Sequence, residues 1–160
     1  MEYYSAKGVS CRVGCFDLVV QDYSEAAIHI WLAFQGKLNT RDRVKMYMEI
    51  PDDSCLLCEG NEKTIDHLLG GCPFTRLVWN KFSSAMGLLS FLGEWEEVMV
   101  AALTKAKGKK FTASIYKCGF ESVVYHIWGE MNARVYGRVR RSADGVWKDA
   151  MIDCRALIDM

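Results

Sequence analysis

Proline and charge of a single sign are what this 160-residue chain most lacks. Only Pro51 and Pro73 are present, and both flank one short region, so no proline ring interrupts helix elsewhere. Twenty basic residues balance twenty acidic ones, giving a net charge of zero and a pI near 6.8. That balance excludes a strongly basic nucleic-acid binder of the histone or ribosomal kind, which needs a net positive surface to neutralise phosphates. Local basic faces stay open. Long apolar runs are missing too. Val13 to Val20 is the most apolar early stretch and contains Asp17, whereas a membrane-spanning helix needs about 20 apolar residues. The start, Met1-Glu2-Tyr3-Tyr4, has neither the basic onset nor the apolar stretch of a secretory signal. An intracellular setting, nucleus or cytoplasm, is expected, with reduced thiols and no membrane partner. Seven cysteines, an odd number, fit a disulfide framework poorly and turn attention to metal-ligand spacing.

What is present is ordinary for a globular protein: 51% hydrophobic and 25% charged residues, which argues against disorder, collagen-like repeats and low complexity. The length suits one domain, or a small domain with an appended half-domain. The apolar pattern has a helical period along most of the chain. Glu25 to Phe34 is a good helix former ended by Gly36. Thr40 can cap a short helix over Arg41 to Met48, with Val44, Tyr47 and Met48 on one face. Pro73 suits the first turn of a helix that turns Leu77, Val78, Trp79 and Phe82 inward and closes at Gly87. A further helix is expected from about Phe91 to Ala102. After the lysine-rich connection around Gly108, a long one runs from about Thr112 to Tyr136, with Ile115, Val123, Ile127, Met131 and Val135 recurring at helical steps. Ser142 can cap a last amphipathic helix with Ala143, Val146, Trp147, Ala150, Met151, Cys154, Leu157 and Ile158 on one face. Phe16 to Val20 is a weak strand candidate. The expected fold class is mostly α, a helical domain with an inserted metal-binding loop.

That loop lies between the two prolines. It reads Cys55-Leu-Leu-Cys58, then His67, then Cys72, a spacing of C-x2-C-x8-H-x4-C. Two cysteines two residues apart can place both sulfurs on one ion from a tight turn. A histidine and a cysteine five apart can add two ligands from a short helical turn. Four such donors with no open position describe a structural Zn2+ site, not a catalytic one. A redox dithiol is the other reading of Cys55 and Cys58, but no βαβ context surrounds them.

The same residues carry a resemblance. Trp31-Leu-Ala-Phe-Gln-Gly-Lys-Leu-Asn-Thr-Arg-Asp-Arg-Val44, Cys55-Leu-Leu-Cys58, Thr64-Ile-Asp-His67-Leu-Leu, Cys72-Pro-Phe and Val78-Trp79 resemble the reverse-transcriptase zinc-binding domain of plant non-LTR (LINE-type) retrotransposons. Ile115-Tyr116 and the stretch from Ile127 to Tyr136 are similar to the helix that follows the zinc motif there. The resemblance covers about residues 28 to 137. It implies Cys55, Cys58, His67 and Cys72 as zinc ligands, and a module that helps hold template RNA or target DNA. No polymerase, endonuclease or ribonuclease H motif accompanies it, and Gly129 and Met131 stand where an arginine-rich stretch is common. A stand-alone, domesticated fragment is what these departures imply. The expected organisation is a divergent extension over 1–27, a CCHC module over 28–86 and a C-terminal helical region over 87–160.

The expected function is therefore non-catalytic zinc and nucleic-acid binding, with Arg41, Arg43, Lys45 and Arg76 presented to RNA or DNA. From Val100 to Lys148 there are ten cations (Lys105, Lys107, Lys109, Lys110, Lys117, Arg134, Arg138, Arg140, Arg141 and Lys148) against Glu121, Glu130 and Asp144. With Tyr116, Tyr125 and Tyr136 these could track phosphates and stack bases, or form solvated faces over packed tyrosines. The alternative function is a scaffold domain whose last helix docks a protein partner or a second copy. A helical enzyme would draw on Cys118, His126, Tyr116 or Glu130. His29 and His126 read most simply as hydrogen-bonded histidines, and Cys11, Cys15, Cys118 and Cys154 as small packing residues, although Cys11, Cys15 and His29 could form a second metal site. The five tryptophans are expected to anchor the core.

Overall fold

The computed structural model describes residues 25–40, 45–49, 54–60, 64–89, 93–108 and 110–159. They form α1 (Glu25–Phe34), a π-helical turn (His67–Gly71), α2 (Pro73–Ala85), α3 (Trp95–Lys105), α4 (Phe111–Val135) and α5 (Ala143–Ile158). The fold is mostly helical, with no strand among the described residues. The strand candidate at Phe16 to Val20 lies outside them, as do Cys11, Cys15, Arg41 and Arg43.

The helix boundaries follow from local chemistry. Gly36 takes a φ of 62°, where a side chain is strained. Its N–H bonds Ala33 O and the next N–H, from Lys37, bonds Leu32 O, the paired bonds that terminate a helix on a left-handed residue. Pro73 opens α2, where its missing N–H costs nothing. Ser142 Oγ accepts from Gly145 N at 3.1 Å and caps α5.

α4 is the central post. It packs against α1, α2, α3 and α5, and its buried positions therefore spread around more than one stripe. Phe120 is the hub, with the rings of Phe34, Trp79, Phe82, Trp95 and Tyr116 at 5.1–6.4 Å. Val123, Ile127 and Met131 are buried as expected, Ile115 is half-buried, and Val135 is exposed. α5 buries Ala143, Val146, Ala150 and Cys154 against α4 and α2, leaving Ile158 exposed. Trp147 and Met151 of the same face are half-buried against the core.

Several expectations are corrected. The described part of the expected Arg41–Met48 helix, residues 45–48, is turn and bend, with Tyr47 and Met48 exposed. A stripe of three residues is too short to repay helix nucleation. Leu77 faces solvent while Val78, Trp79 and Phe82 point inward. The expected Phe91–Ala102 helix starts at Trp95 and runs on to Lys105. Trp31 is 39% exposed under the Lys37 ammonium, 5.7 Å from its ring, so it is a surface cation–π partner and not a core anchor. Tyr116 is buried and unavailable for stacking on a ligand.

The π turn is wedged between α2 and α3. A Cβ at Gly70 would run into Trp95 N and sit 2.9 Å from Trp95 Cα. Backbone cannot yield as a side-chain tip can. Gly70→Ala is expected to destabilise the protein by about 3 kcal/mol, read as a lower urea midpoint. An unchanged midpoint would mean that α3 does not rest on the turn.

Candidate metal centre

The four predicted ligands converge. One donor atom from each of Cys55, Cys58, His67 and Cys72 lies within 4.8 Å of all the others. Cys55 Sγ is 3.9 Å from Cys72 Sγ, and Cys58 Sγ is 3.3 Å from His67 Nε2. A tetrahedral ion at about 2.3 Å from sulfur and about 2.0 Å from nitrogen sets its donors about 3.5–3.8 Å apart. Three thiols and an imidazole at these spacings fit Zn2+, and Cys55 and Cys72 are fully buried. Among the described residues no other group of three or more such side chains is placed to hold a metal ion.

Each donor is positioned by its own piece of backbone. Glu59 closes the Cys55–Cys58 turn in the left-handed region, at a φ of 58°, with its N–H on Cys55 O at 2.7 Å. His67 and Cys72 are five residues apart, which in an α-helix would place them about 140° apart around the axis. The π turn widens the spiral, so that Cys72 N bonds His67 O at 2.6 Å and the two side chains come to one side. Thr64 Oγ1 accepts from His67 N at 3.1 Å. Two carbonyls of the turn are taken by side chains of α2: Thr75 Oγ1 donates to Leu68 O and Trp79 Nε1 to Leu69 O, both at 2.7 Å. Trp79 therefore fixes the ligand turn as well as filling the core.

The electrostatics suit a cation. A hydrogen bond from Cys72 pulls the Cys55 thiol down to about 4 against the opposing effect of burial, helped by the N–H groups of Cys58 and Leu57. The same bond, together with burial, pushes Cys72 up. One proton is held between two sulfurs that repel when both are ionised, and a divalent ion removes the reason to keep it. The N–H groups of Thr75 and Phe74, at the start of α2, also favour the Cys72 thiolate.

A second layer ties this loop to the far end of the chain. Arg134 Nη1 donates to Leu56 O at 2.9 Å and Leu57 O at 3.2 Å, inside the cysteine turn, and Arg134 Nη2 donates to Arg141 O at 3.0 Å. Glu130, fully buried, accepts from Arg134 Nε at 2.8 Å, Arg141 N at 3.0 Å and Arg141 Nε at 2.9 Å. Arg141 also pairs with Asp149, Arg140 pairs with Glu59 at 2.6 Å, and the Arg134 guanidinium lies 4.9 Å over the Phe74 ring. Sequence reasoning missed this clamp. The Glu130–Arg134 step of four residues was a readable signal of an ion pair, but not of a buried one.

The other candidates fall as follows. Arg76 is exposed on α2 and Lys45 is exposed in the turn after α1. Arg134, Arg140 and Arg141, counted above as a basic face, are engaged with carboxylates of this chain. Cys118, His126, Tyr116 and Glu130 do not meet. Tyr116 sits among core rings, Glu130 is about 21 Å further along α4, His126 Nε2 contacts Asp153 Oδ2 at 2.7 Å, and Cys118 Sγ donates to Cys154 O at 3.6 Å. His29 packs on Tyr125 and Trp128. No described helix is long and apolar enough to cross a membrane.

No curated protein and no solved structure matches the chain. Residues 21–79 match the family model described as zinc-binding in reverse transcriptase, a stretch that contains all four converging ligands and ends at Trp79.

Proposed function

We propose that this protein is a non-catalytic Zn2+ module of plant retroelement ancestry that binds RNA or DNA inside the cell, in the nucleus or cytoplasm. Zinc fixes the loop, and Arg41, Arg43, Lys45 and Arg76 contact phosphates. The observation that supports this most is Arg76. It stands exposed one turn after the ligand Cys72, whose carbonyl accepts its N–H at 2.9 Å, and its guanidinium has no ion-pair partner among the described residues. The zinc loop, clamped from behind by Arg134, makes a firm base for such contacts.

The test is fluorescence anisotropy of single-stranded RNA and DNA between about 50 and 200 mM salt, where phosphate contacts lose affinity steeply. An Arg41→Ala, Arg43→Ala and Arg76→Ala triple variant is expected to bind more weakly and to reduce the slope of log affinity against log salt by about 2–3. Negligible binding by the unmodified protein at the low-salt end would sink the reading. The scaffold alternative is favoured by one observation, that three of the ten C-terminal cations are engaged internally. A dimer on size exclusion, indifferent to added oligonucleotide, would support it.

A further inference from the structure

On the surface of α4, the side chains of Tyr125, His126, Trp128, Arg138 and Arg141 surround Gly129 in an open groove of about 530 Å3. Its floor is open because Gly129 has no side chain, and nothing lies within 4 Å of where a Cβ would stand. Its walls are held. His29 of α1 backs Trp128 at 4.4 Å between ring centres and meets Tyr125 edge-on at 5.3 Å. Tyr125 Oη donates to Glu25 Oε2 at 3.1 Å, and Asp153 orients His126. No carboxylate lines the groove. Arg141 is tied to Glu130 and Asp149, whereas the Arg138 guanidinium is exposed with no partner among the described residues.

We infer that this groove binds one unpaired nucleobase against Trp128 and Tyr125, with the adjoining phosphate at Arg138. Fixed aromatic faces accept any base by stacking, and the Arg138 guanidinium, the one lining cation without a carboxylate partner among the described residues, supplies the charge complement. The groove is open. A free mononucleotide depends on burying most of its surface, whereas a strand also held elsewhere does not, so the occupant is a segment of single-stranded nucleic acid. The inference rests on the nucleic-acid reading above and extends it from phosphate contacts near the zinc loop to a base site on α4.

The experiment uses the full, metal-loaded chain and a short single strand carrying 5-iodouracil. Photo-crosslinking followed by peptide mapping is expected to mark the segment holding Tyr125 and Trp128. Gly129→Leu fills the groove while improving helix propensity, so its Tm should hold or rise. Its affinity for the strand should fall roughly 10- to 100-fold, the loss of about one stacked base. Arg138→Ala should weaken binding and lower the salt slope by about one. Uridine monophosphate should compete only weakly. Strand binding that Gly129→Leu leaves intact, with crosslinks elsewhere, would overturn the groove and leave the zinc-side reading standing. No strand binding at all would overturn both. Uridine monophosphate binding as tightly as the strand would overturn the assignment to a strand.

Discussion

Stripping the purified protein with a strong chelator is expected to remove one zinc per chain and, with it, the cooperative thermal transition. In small peptides such sites contribute about 10–16 kcal/mol, as large as the whole stability of an ordinary domain at about 5–15 kcal/mol. The loss would not stay local. The π turn presents His67, its carbonyls hold Thr75 and Trp79, and Trp79 lies 5.1 Å from the Phe120 hub. Native mass spectrometry reads the metal and circular dichroism the helicity, which should return on adding zinc. Cys72→Ser should behave like the chelated protein, since Cys72 is fully buried at the start of α2. Cys118→Ser, on the α4–α5 side, should not. A metal-free protein of unchanged helicity would reduce the four ligands to a relic.

Glu130→Gln is expected to cost about 3 kcal/mol, because it leaves Arg134, almost wholly buried, facing an amide where it had a carboxylate. The acid dependence gives a second readout. Burial pushes the Glu130 carboxyl up, but the bonds from Arg134 and Arg141 outweigh it and hold the group below its ordinary 4.5. A carboxylate held lower in the folded state contributes stability above its unfolded value and loses it as pH falls through the folded one. The unmodified protein should therefore give up this contribution as pH drops below about 4.5, while Glu130→Gln shows no such increment. Zinc release in acid affects both proteins, so the difference between their urea midpoints is the quantity to follow. Equal slopes would mean that Glu130 is not ionised in its pocket.

Much of this was written locally in the sequence. Gly36, Pro73 and Ser142 mark helix ends through backbone chemistry that needs no tertiary partner, and the four ligands fall within one short stretch of turns. The π turn was not legible, because a spacing of five residues says that two side chains should meet without saying how the backbone widens to let them. Nor was the true width of the buried surface on α4. A single apolar stripe describes a helix packed on one side, and α4 is packed by four neighbours. The fate of Arg134 was hidden for the same reason. Its partners Leu56 and Leu57 lie 78 and 77 residues away, so it counted among surface cations until the chain was closed.

Those same two bonds bear on how metal enters and leaves. The ligand pairs Cys55–Cys58 and His67–Cys72 form within short loops, so capture of the ion is a local event that can precede docking of the C-terminal helices. Release is different. Once Arg134 grips the cysteine turn and Glu130 grips Arg134, opening the turn also breaks its bonds to α4. The stretch that matches the family model ends at Trp79, short of Glu130, Arg134 and Arg141. A chain cut there keeps all four ligands and is expected to give up zinc faster to a chelator than the 160-residue chain, read as the rate of zinc transfer. The helices that never touch the site would then govern how long an ion stays in it.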